Sequence, residues 1–497
     1  MSLSALSDAF LHLATPATLA YGAAAMLLGI VFGALPGLTA ALGVALLTGL
    51  TFSLSTEHTL VILLCIYVGA IYGGSISAVL TNIPGTGAAI ATAWEGHALA
   101  RRGEAGLAIG TAAAASFAGT MLGLCALALA TPVLARAALK IASPEITLLS
   151  LLGLFLVGSL NGSGTALKGW MAGLTGLLIS TVGLDAISAT PRFTLGSSNL
   201  LGGMPFIPAM IGLFGVAQIV ESLSQTRRAQ IHSLPRVLPN WGTLIKHLPV
   251  TIKSGLVGIG IGITPGVGEN IAALLAYSVA RRNSKEPGRY GQGSYEGLIA
   301  AETANNACVP AAVIPLIALG IPGSPVTAIL LGALLLHGVQ PGPLLLVEHP
   351  AFLAEIIAIF ALAAVLLLGL ALLLARPISL ILHVPSAILL PVVTTICVIG
   401  AFSLNLSHFD IGVMVAFGVL GLVMRGGGFP TAPLVMGLIL GPFIETNLRR
   451  TFLLSDGSLL PFVTRPISLA LTLILLLLLV TQTAWWRRFR ESRRSVA

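Results

Sequence analysis

GALPGLTA at residues 33–40 breaks a long apolar stretch with a Pro-Gly pair, and GITPGVGE at residues 262–269 contains the same break. Three further pairs of segments follow these motifs in the same order and at similar separations. They are NIPGTG (82–87) with GIPGSP (320–325), VLARAALKIASP (133–144) with LLARPISLILHVP (373–385), and GLFG (212–215) with GLILG (437–441). Because four matches recur in one order, we infer that the chain consists of two duplicated halves.

The composition around these motifs is that of a membrane protein. Hydrophobic residues make up 56% of the 497 residues and charged residues only 8%, whereas a soluble domain carries roughly 25% charged residues. Apolar stretches approach the length that spans a bilayer, about 20 residues, at 104–130, 350–375, 411–424 and 467–482. The sequence therefore predicts an all-α polytopic membrane protein with about 10–12 membrane segments.

Several other classes are disfavoured. The formal net charge of +8 is expected to reflect basic loops that set membrane topology, so we predict no nucleic-acid partner. The N-terminus MSLSALSDAFLHLATPATLA lacks a basic n-region, so no cleavable signal peptide is predicted. The four cysteines occur singly in apolar segments, with no metal or disulfide spacing, and are interpreted as buried hydrophobes.

The two halves are predicted to be inverted in the membrane. Each opens with a Pro-Gly-broken hairpin, Thr18–Phe52 and His247–Ala280, which is too long for one span and short for two. Five spans follow the first hairpin, near residues 59–83, 105–131, 145–160, 165–183 and 205–223. Because five is odd, the second half must start from the opposite side of the membrane. Inverted repeats of this kind are a transporter architecture.

Charge placement supports the same topology. With the N-terminus outside, nineteen of the 25 Lys and Arg residues fall on the cytoplasmic side, as the positive-inside rule requires. We therefore predict a protein of the bacterial inner membrane with a periplasmic N-terminus and a cytoplasmic C-terminus. The predicted regions are a first repeat (15–221), a cytoplasmic linker (222–246), a second repeat (247–448), a final span (465–482) and a basic cytoplasmic tail (483–497).

The Pro/Gly breaks are the candidate binding site. Proline removes a helical hydrogen bond and glycine permits the reversal, so breaks at membrane depth free backbone N–H and C=O groups that must face protein, water or ligand. Helix N-termini there can bind a carboxylate, and C-terminal carbonyls can bind a cation. The predicted site region comprises Pro36, Gly37, Thr39, Asn82, Pro84, Gly85, Thr86, Gly87, Pro265, Gly266, Gly268, Glu269, Asn270, Asn305, Asn306, Pro322, Gly323 and Ser324.

Each site assignment has a simpler alternative. A Ser or Thr in a membrane helix can merely satisfy its own backbone carbonyls. Glu269 and Glu302 could bind a coupling cation or carry a proton, but they could also form ordinary ion pairs near Arg281 and Arg282. Both interpretations stay open at the level of sequence.

Uphill import of an anion would require a coupling ion. Moving a trianion into a negative interior costs roughly 7 kcal/mol per 100 mV. The chain has no GxxxxGK[ST] nucleotide-binding loop, so we expect no cofactor and a sodium or proton gradient as the energy source. We predict no firm metal site beyond a transient sodium site near the same breaks.

Long segments around the breaks resemble a known family. They are YVGAIYGGSISAVLTNIPGTGAAIATAWEGHALARRGEAGLAIG (67–110), GALPGLTAALGVALL (33–47), PGVGENIAALLAYSVAR (265–281) and EGLIAAETANNACVPAAVIPLIALGIPGSP (296–325). They resemble the large membrane subunit of tripartite tricarboxylate transporters, the TctA-type permeases, and the resemblance extends over about residues 15–480.

This resemblance implies a permease that works with a small four-helix membrane subunit and a periplasmic solute-binding protein. It further implies import of citrate or another small organic anion by sodium or proton symport, and a role for the break residues as a site region. PGSP in the second half differs from PGTG in the first, so we expect two chemically unequal lobes.

Two alternatives remain. A stand-alone secondary carrier for another metabolite would have the same composition and repeats. An intramembrane enzyme would use NGSGTA (161–166) with His97, His337 or His408, but HExxH is absent and Gly-Ser-Gly is common between helices. We therefore predict that the protein is not an enzyme.

Overall fold

The fold was described from a computed structural model. It covers residues 3–35, 38–160, 166–185, 187–223, 237–382, 384 and 386–481. Pro36 and Gly37 of the first break, most of the predicted linker and the predicted basic tail lie outside these ranges.

The described residues are predominantly helical. Residues up to the linker form α1 (Leu3–Leu13), α2 (Pro16–Ala34), α3 (Ala40–Leu50), α4 (Thr56–Thr81), α5 (Ile90–Arg101), α6 (Ala105–Ala138), α7 (Ser143–Leu160), α8 (Ala166–Ser180), α9 (Phe206–Met210) and α10 (Ala217–Leu223). A π-helical segment, Ile211–Val216, joins the last two, and a 3₁₀ turn, Gly87–Ala89, precedes α5. The sheet consists of β1 (Gly183–Leu184) and β2 (Pro191–Arg192), which pair antiparallel with Gly183 opposite Arg192.

After the linker, the described residues form twelve further helices. They are α11 (Trp241–Lys246), α12 (Leu248–Ile263), α13 (Glu269–Asn283), α14 (Tyr295–Leu319), α15 (Pro325–Leu336), α16 (Leu345–Glu348), α17 (Phe352–Ile381), α18 (Ser386–Ser403), α19 (His408–Gly426), α20 (Thr431–Leu454), α21 (Pro461–Thr464) and α22 (Pro466–Thr481). Two more 3₁₀ turns are Ser198–Leu200 and Pro287–Arg289.

Seven described helices are long and apolar enough to cross a membrane: α2, α4, α6, α14, α17, α19 and α20. Seven shorter apolar helices accompany them. This confirms an all-α polytopic membrane protein.

The chain divides into two compact units that cut across the two halves of the sequence. One comprises residues 1–135 and 207–422, and the other comprises residues 136–206 and 423–497. The first unit contains all the described break residues. In the second unit, α20 packs on α7 and α8, and α22 packs on α7.

Glycines allow the central helices of the first unit to pack closely. A Cβ on Gly29 of α2 would lie 2.5 Å from the carbonyl oxygen of Ile66 on α4, and one on Gly69 of α4 would lie 2.7 Å from that of Met26 on α2. In the second half, a Cβ on Gly262 of α12 would lie 2.7 Å from the carbonyl oxygen of Cys308 on α14. Small residues at helix crossings are typical of membrane proteins, because they let the two backbones approach closely. As a result, α4 and α14 are almost wholly enclosed by protein.

Candidate functional site

Each half of the sequence has two Pro-Gly breaks, the first at 36–37 or 265–266 and the second within 82–87 or 320–325. In each half, the second break packs directly on the residues that precede the first break. A Cβ on Gly85 would overlap the carbonyl oxygen of Gly33, which lies three residues before Pro36. A Cβ on Gly323 would lie 2.6 Å from the carbonyl oxygen of Gly262, three residues before Pro265. The two breaks of a half are therefore neighbours in space, although about 50 residues separate them.

Similar backbone hydrogen bonds hold the second breaks. The N–H of Gly85 donates to the carbonyl of Gly74 at 3.4 Å, and the N–H of Gly323 donates to that of Ala312 at 3.3 Å. The preceding helices end in left-handed residues, with φ of 58° at Asn82 and 71° at Gly320. Because Asn and Gly tolerate this conformation best, local sequence explains both ends.

The helix starts after these breaks differ. Ser324 forms a capping box with Thr327, in which each side chain bonds the other residue's backbone N–H. Thr86 precedes the 3₁₀ turn without any capping hydrogen bond, and its buried hydroxyl has no hydrogen-bond partner among the residues that the structure describes. A buried hydroxyl without a partner is costly, so Thr86 is a candidate ligand contact.

The two halves meet at these breaks. The side-chain amide of Asn270 lies so close to Gly87 that a Cβ there would be 2.6 Å from its nitrogen. Tyr67 of α4 donates its hydroxyl to Glu269 and lies 3.0 Å from the hydroxyl of Ser324. One phenol thus joins both second-half breaks to a first-half helix.

A second buried carboxyl group, that of Glu302, lies between the helices that end at the second breaks, α4 and α14, and two neighbouring helices. Glu302 of α14 is fully buried and accepts hydrogen bonds from Ser75 of α4 at 2.7 Å, from Thr92 of α5, and from Ser116 of α6 at 3.0 Å. In the described part of the chain, neither Glu302 nor Glu269 forms a salt bridge. The interpretation as ion pairs with Arg281 and Arg282 is therefore not supported.

An amide pair follows Glu302 on the same helix face. Asn306 donates to the side-chain oxygen of Asn305 at 2.7 Å and to the backbone carbonyl of Glu302 at 3.4 Å. Among the described residues, the amide oxygen of Asn306 and the hydroxyls of Tyr72 and Thr303 have no hydrogen-bond partner. The amide nitrogen of Asn305 faces the carboxylate of Glu302 without forming a hydrogen bond of good geometry. A buried free donor beside a free acceptor suits a polar ligand or water.

The remaining predicted residues have mixed positions. Thr39 caps α3 by accepting from the N–H of Leu42 at 3.1 Å, and Asn82 is exposed as the C-cap of α4. Gly266 and Gly268 both have φ of 76°, which glycine alone adopts readily, and Gly268 N-caps α13. Pro322 is buried, whereas Pro84 and Pro265 are partly exposed.

Sequence reasoning missed Tyr67, Thr92 and Ser116. Each is a hydroxyl-bearing residue inside an apolar helix, and its partner lies far away in sequence. A signal was available only for Tyr67, whose phenol in an apolar run needs a hydrogen-bond partner when buried. Among the described residues, no group of three or more His, Cys, Asp or Glu could hold a metal ion.

Fold and site together define a multi-pass α-helical membrane protein with a polar centre enclosed between broken helices. The sequence profile described as "Tripartite tricarboxylate transporter TctA family" matches residues 19–436. The chain therefore belongs to this family, which confirms the resemblance.

Two similar proteins come from Agrobacterium vitis. "Uncharacterized 52.8 kDa protein in TAR-I ttuC' 3'region" is 36% identical over 472 residues, which cover 94% of each chain. "Uncharacterized protein in TAR-II ttuC' 3'region" is 38% identical over 211 residues, which cover 42% of this chain and 87% of that protein. No solved structure matches.

Proposed function

We propose that the chain is the large permease subunit of a tripartite secondary transporter. It imports a small carboxylate, such as the tricarboxylate citrate, by symport with sodium ions or protons. A small four-helix membrane subunit and a periplasmic solute-binding protein complete the system. Membership of the TctA family supports this assembly.

The observation that carries the proposal is the enclosed polar centre at the breaks. Both second-half breaks contact Tyr67, and the first-half break at Gly87 contacts Asn270. The hydroxyl of Thr86 lies against Gly74 of α4, and the amide of Asn305 is buried on α14; neither the Thr86 hydroxyl nor the Asn305 amide nitrogen forms a hydrogen bond of good geometry among the described residues. Hydroxyl and amide donors can hold a carboxylate without a buried arginine.

The proposed mechanism is alternating access between two inverted halves, with the N-terminus periplasmic and the C-terminus cytoplasmic. The recurring helix order supports a duplication: α2–α4 before the linker matches α12–α14 after it, each with one break between its first two helices. The differing caps at Thr86 and Ser324 make the two lobes of the site chemically unequal.

The test is uptake of [¹⁴C]citrate, and of [¹⁴C]succinate in parallel, into vesicles that contain the permease and its small subunit. We expect uptake to require both the binding protein and a cation gradient. Equal uptake without the binding protein would instead identify a stand-alone carrier. Equal uptake without either would refute the proposal.

A matched pair of amide variants tests the site. Asn305→Ala removes an amide nitrogen that forms no hydrogen bond of good geometry among the described residues, so we expect at least a tenfold loss of uptake, while the lost hydrogen bond to Asn306 costs only about 1 kcal/mol of stability. Asn447→Ala is the control, because this amide bonds within its own helix to the carbonyl of Phe443. Equal uptake by both variants would remove Asn305 from the site.

A further inference from the structure

The Glu302 carboxyl group lies where four helices meet. Its own helix is α14, and its three hydroxyl partners come from α4, α5 and α6. Its exposed fraction is 0%. Because three of these helices precede the linker and α14 follows it, this carboxyl group connects the two halves of the chain.

The surroundings of Glu302 have opposing effects on its protonation: one effect favours the neutral acid and the other favours the anion. Burial without a cation favours the neutral acid, because a charge in a medium of low dielectric constant is costly. The three hydroxyls donate to its oxygens and so favour the anion, and a neutral acid does not need three donors. A group held between opposing effects of this kind can bind and release a proton reversibly.

Several titratable groups lie on the helices around Glu302, and of these Tyr72 interacts with it electrostatically. They include Tyr67 and Tyr72 on α4, Glu95 on α5, Lys253 on α12, Glu269 and Tyr277 on α13, and Cys308 on α14. Within the described ranges, none of them forms a hydrogen bond or salt bridge with Glu302. Glu95 and Glu269 have their own tyrosine partners, Tyr277 and Tyr67.

The free amide groups lie one helical turn from this carboxyl group. Residues three and four apart share a helix face, and Asn306 bonds the backbone carbonyl of Glu302. An anion held by Asn305 and Asn306 would therefore lie close to Glu302. Two negative charges at that distance repel each other strongly in a buried site.

We propose that Glu302 is a proton-carrying residue of the transporter and takes up one of the protons that are transported together with the anion bound at Asn305 and Asn306. This inference rests on the proposed function and assigns its coupling ion. A proton from water on one side binds a carboxylate oxygen and gives the neutral acid. When the site opens to the other side, the same proton returns to water as the anion leaves.

The expected coupling is large. At a separation of roughly 6 Å and an effective dielectric constant of about 20, two unit charges repel enough to weaken binding about a hundredfold. The anion should therefore bind about a hundredfold more tightly when Glu302 is protonated. By linkage, the bound anion favours protonation by the same factor.

The experiment uses vesicles that contain the permease, its small subunit and its binding protein, with [¹⁴C]citrate and [¹⁴C]succinate as probes. With equal sodium on both sides, an inside-alkaline pH gradient should drive accumulation by the wild-type protein. Glu302→Gln is permanently neutral, so it should lose accumulation driven by the gradient but keep exchange of labelled for unlabelled carboxylate. That exchange, expressed per concentration of fully ionised carboxylate, should vary less than twofold between pH 5.5 and pH 8.

Glu355→Gln is the control, because Glu355 in the first turn of α17 is a partly buried carboxylate outside the site. It should retain the wild-type response to the gradient. Ser75→Ala, Thr92→Val and Ser116→Ala each remove one donor to the carboxylate. Each should move the midpoint of the pH–exchange profile upward by about one to two pH units, and these variants decide the question if Glu302→Gln does not fold.

The outcomes separate the two proposals. Wild-type vesicles that take up neither carboxylate under any gradient would refute the proposed function. A wild-type pH response in Glu302→Gln, or unmoved midpoints in all three hydroxyl variants, would overturn the role of Glu302 alone. Accumulation driven by sodium and indifferent to pH would replace the proton by sodium and also overturn this inference.

Discussion

Replacing Gly323 by alanine tests whether direct backbone packing holds the two breaks of a half together. The added Cβ would lie 2.6 Å from the carbonyl oxygen of Gly262, 2.7 Å from that of Ala312 and 2.8 Å from the Cα of Ala312. All three atoms belong to the backbone of α12 and α14. None can rotate away as a side chain could.

The expected cost follows from these contacts. Contacts of Cβ below 3.0 Å essentially never occur, so α12 and α14 must both retreat by several tenths of an ångström. Overpacking of this kind costs about 1–3 kcal/mol, and weakening the hydrogen bond from Gly323 to Ala312 adds about 0.5–1.5 kcal/mol. Gly323 lies outside a helix, so alanine gains no helix propensity. We expect a net loss of roughly 2–4 kcal/mol.

The assay combines thermal unfolding of the purified protein with carboxylate uptake. Gly369→Ala is the matched control, because a Cβ on this helical glycine of α17 meets nothing within 4 Å, and its stability should change by less than about 1 kcal/mol. Gly323→Ala should unfold at lower temperature and lose at least tenfold in uptake per folded molecule. Wild-type stability and uptake in Gly323→Ala would refute the close packing of the breaks.

Three further substitutions probe other parts of the structure. Thr86→Val removes a buried hydroxyl that has no partner among the described residues, so it should raise the free energy of unfolding by about 1 kcal/mol. The same variant should take up less carboxylate. Unchanged uptake would exclude Thr86 as a ligand contact. The buried carboxylate of Glu95 accepts hydrogen bonds from Tyr277 and from the backbone N–H groups of Gly291 and Ser294. Glu95→Gln places an amide N–H₂ group against these donors, so it should lower the free energy of unfolding by about 1–3 kcal/mol in the same assay. An unshifted unfolding curve would contradict this. Hydrogen bonds from the backbone N–H of Ser188, and also from Arg449, hold the pKa of Asp185 well below its usual range. The ionised Asp185 therefore stabilises the folded protein above about pH 4, and this contribution is lost as the pH falls further. Asp185→Asn should abolish that acid dependence, and an identical pH–stability curve would refute it.

The sequence could predict the features that depend on local chemistry. Composition identifies the membrane class, and the Pro-Gly motifs identify the places where helices end. The left-handed conformation at Asn82 and Gly320 follows from their residue types. Local rules also include the alternative that a Ser or Thr at a break bonds only the backbone, and Ser324 does cap α15 through its capping box with Thr327.

The contacts between distant residues could not be predicted in this way. Ser75, Thr92 and Ser116 are single hydroxyls in three apolar helices, and nothing in their spacing shows that all three face one carboxyl group. Only the packing of α14 against these helices brings them to Glu302. For the same reason, the sequence could not decide whether Glu269 and Glu302 bind a cation or proton at the breaks or form ordinary ion pairs.

The proposed duplication would account for the similar backbone but different chemistry of the two candidate lobes of the site. The offset that aligns NIPGTG with GIPGSP also pairs Thr86 with Ser324 and Ala89 with Thr327. Thr327 supplies the second half of the capping box, and Ala89 has no group to do so. The hydroxyl of Ser324 is therefore occupied by its own helix, whereas that of Thr86 is left free in the buried centre. This one residue difference, three positions after the break, leaves the hydroxyl of Thr86 in the first half as the one that we propose contacts a ligand.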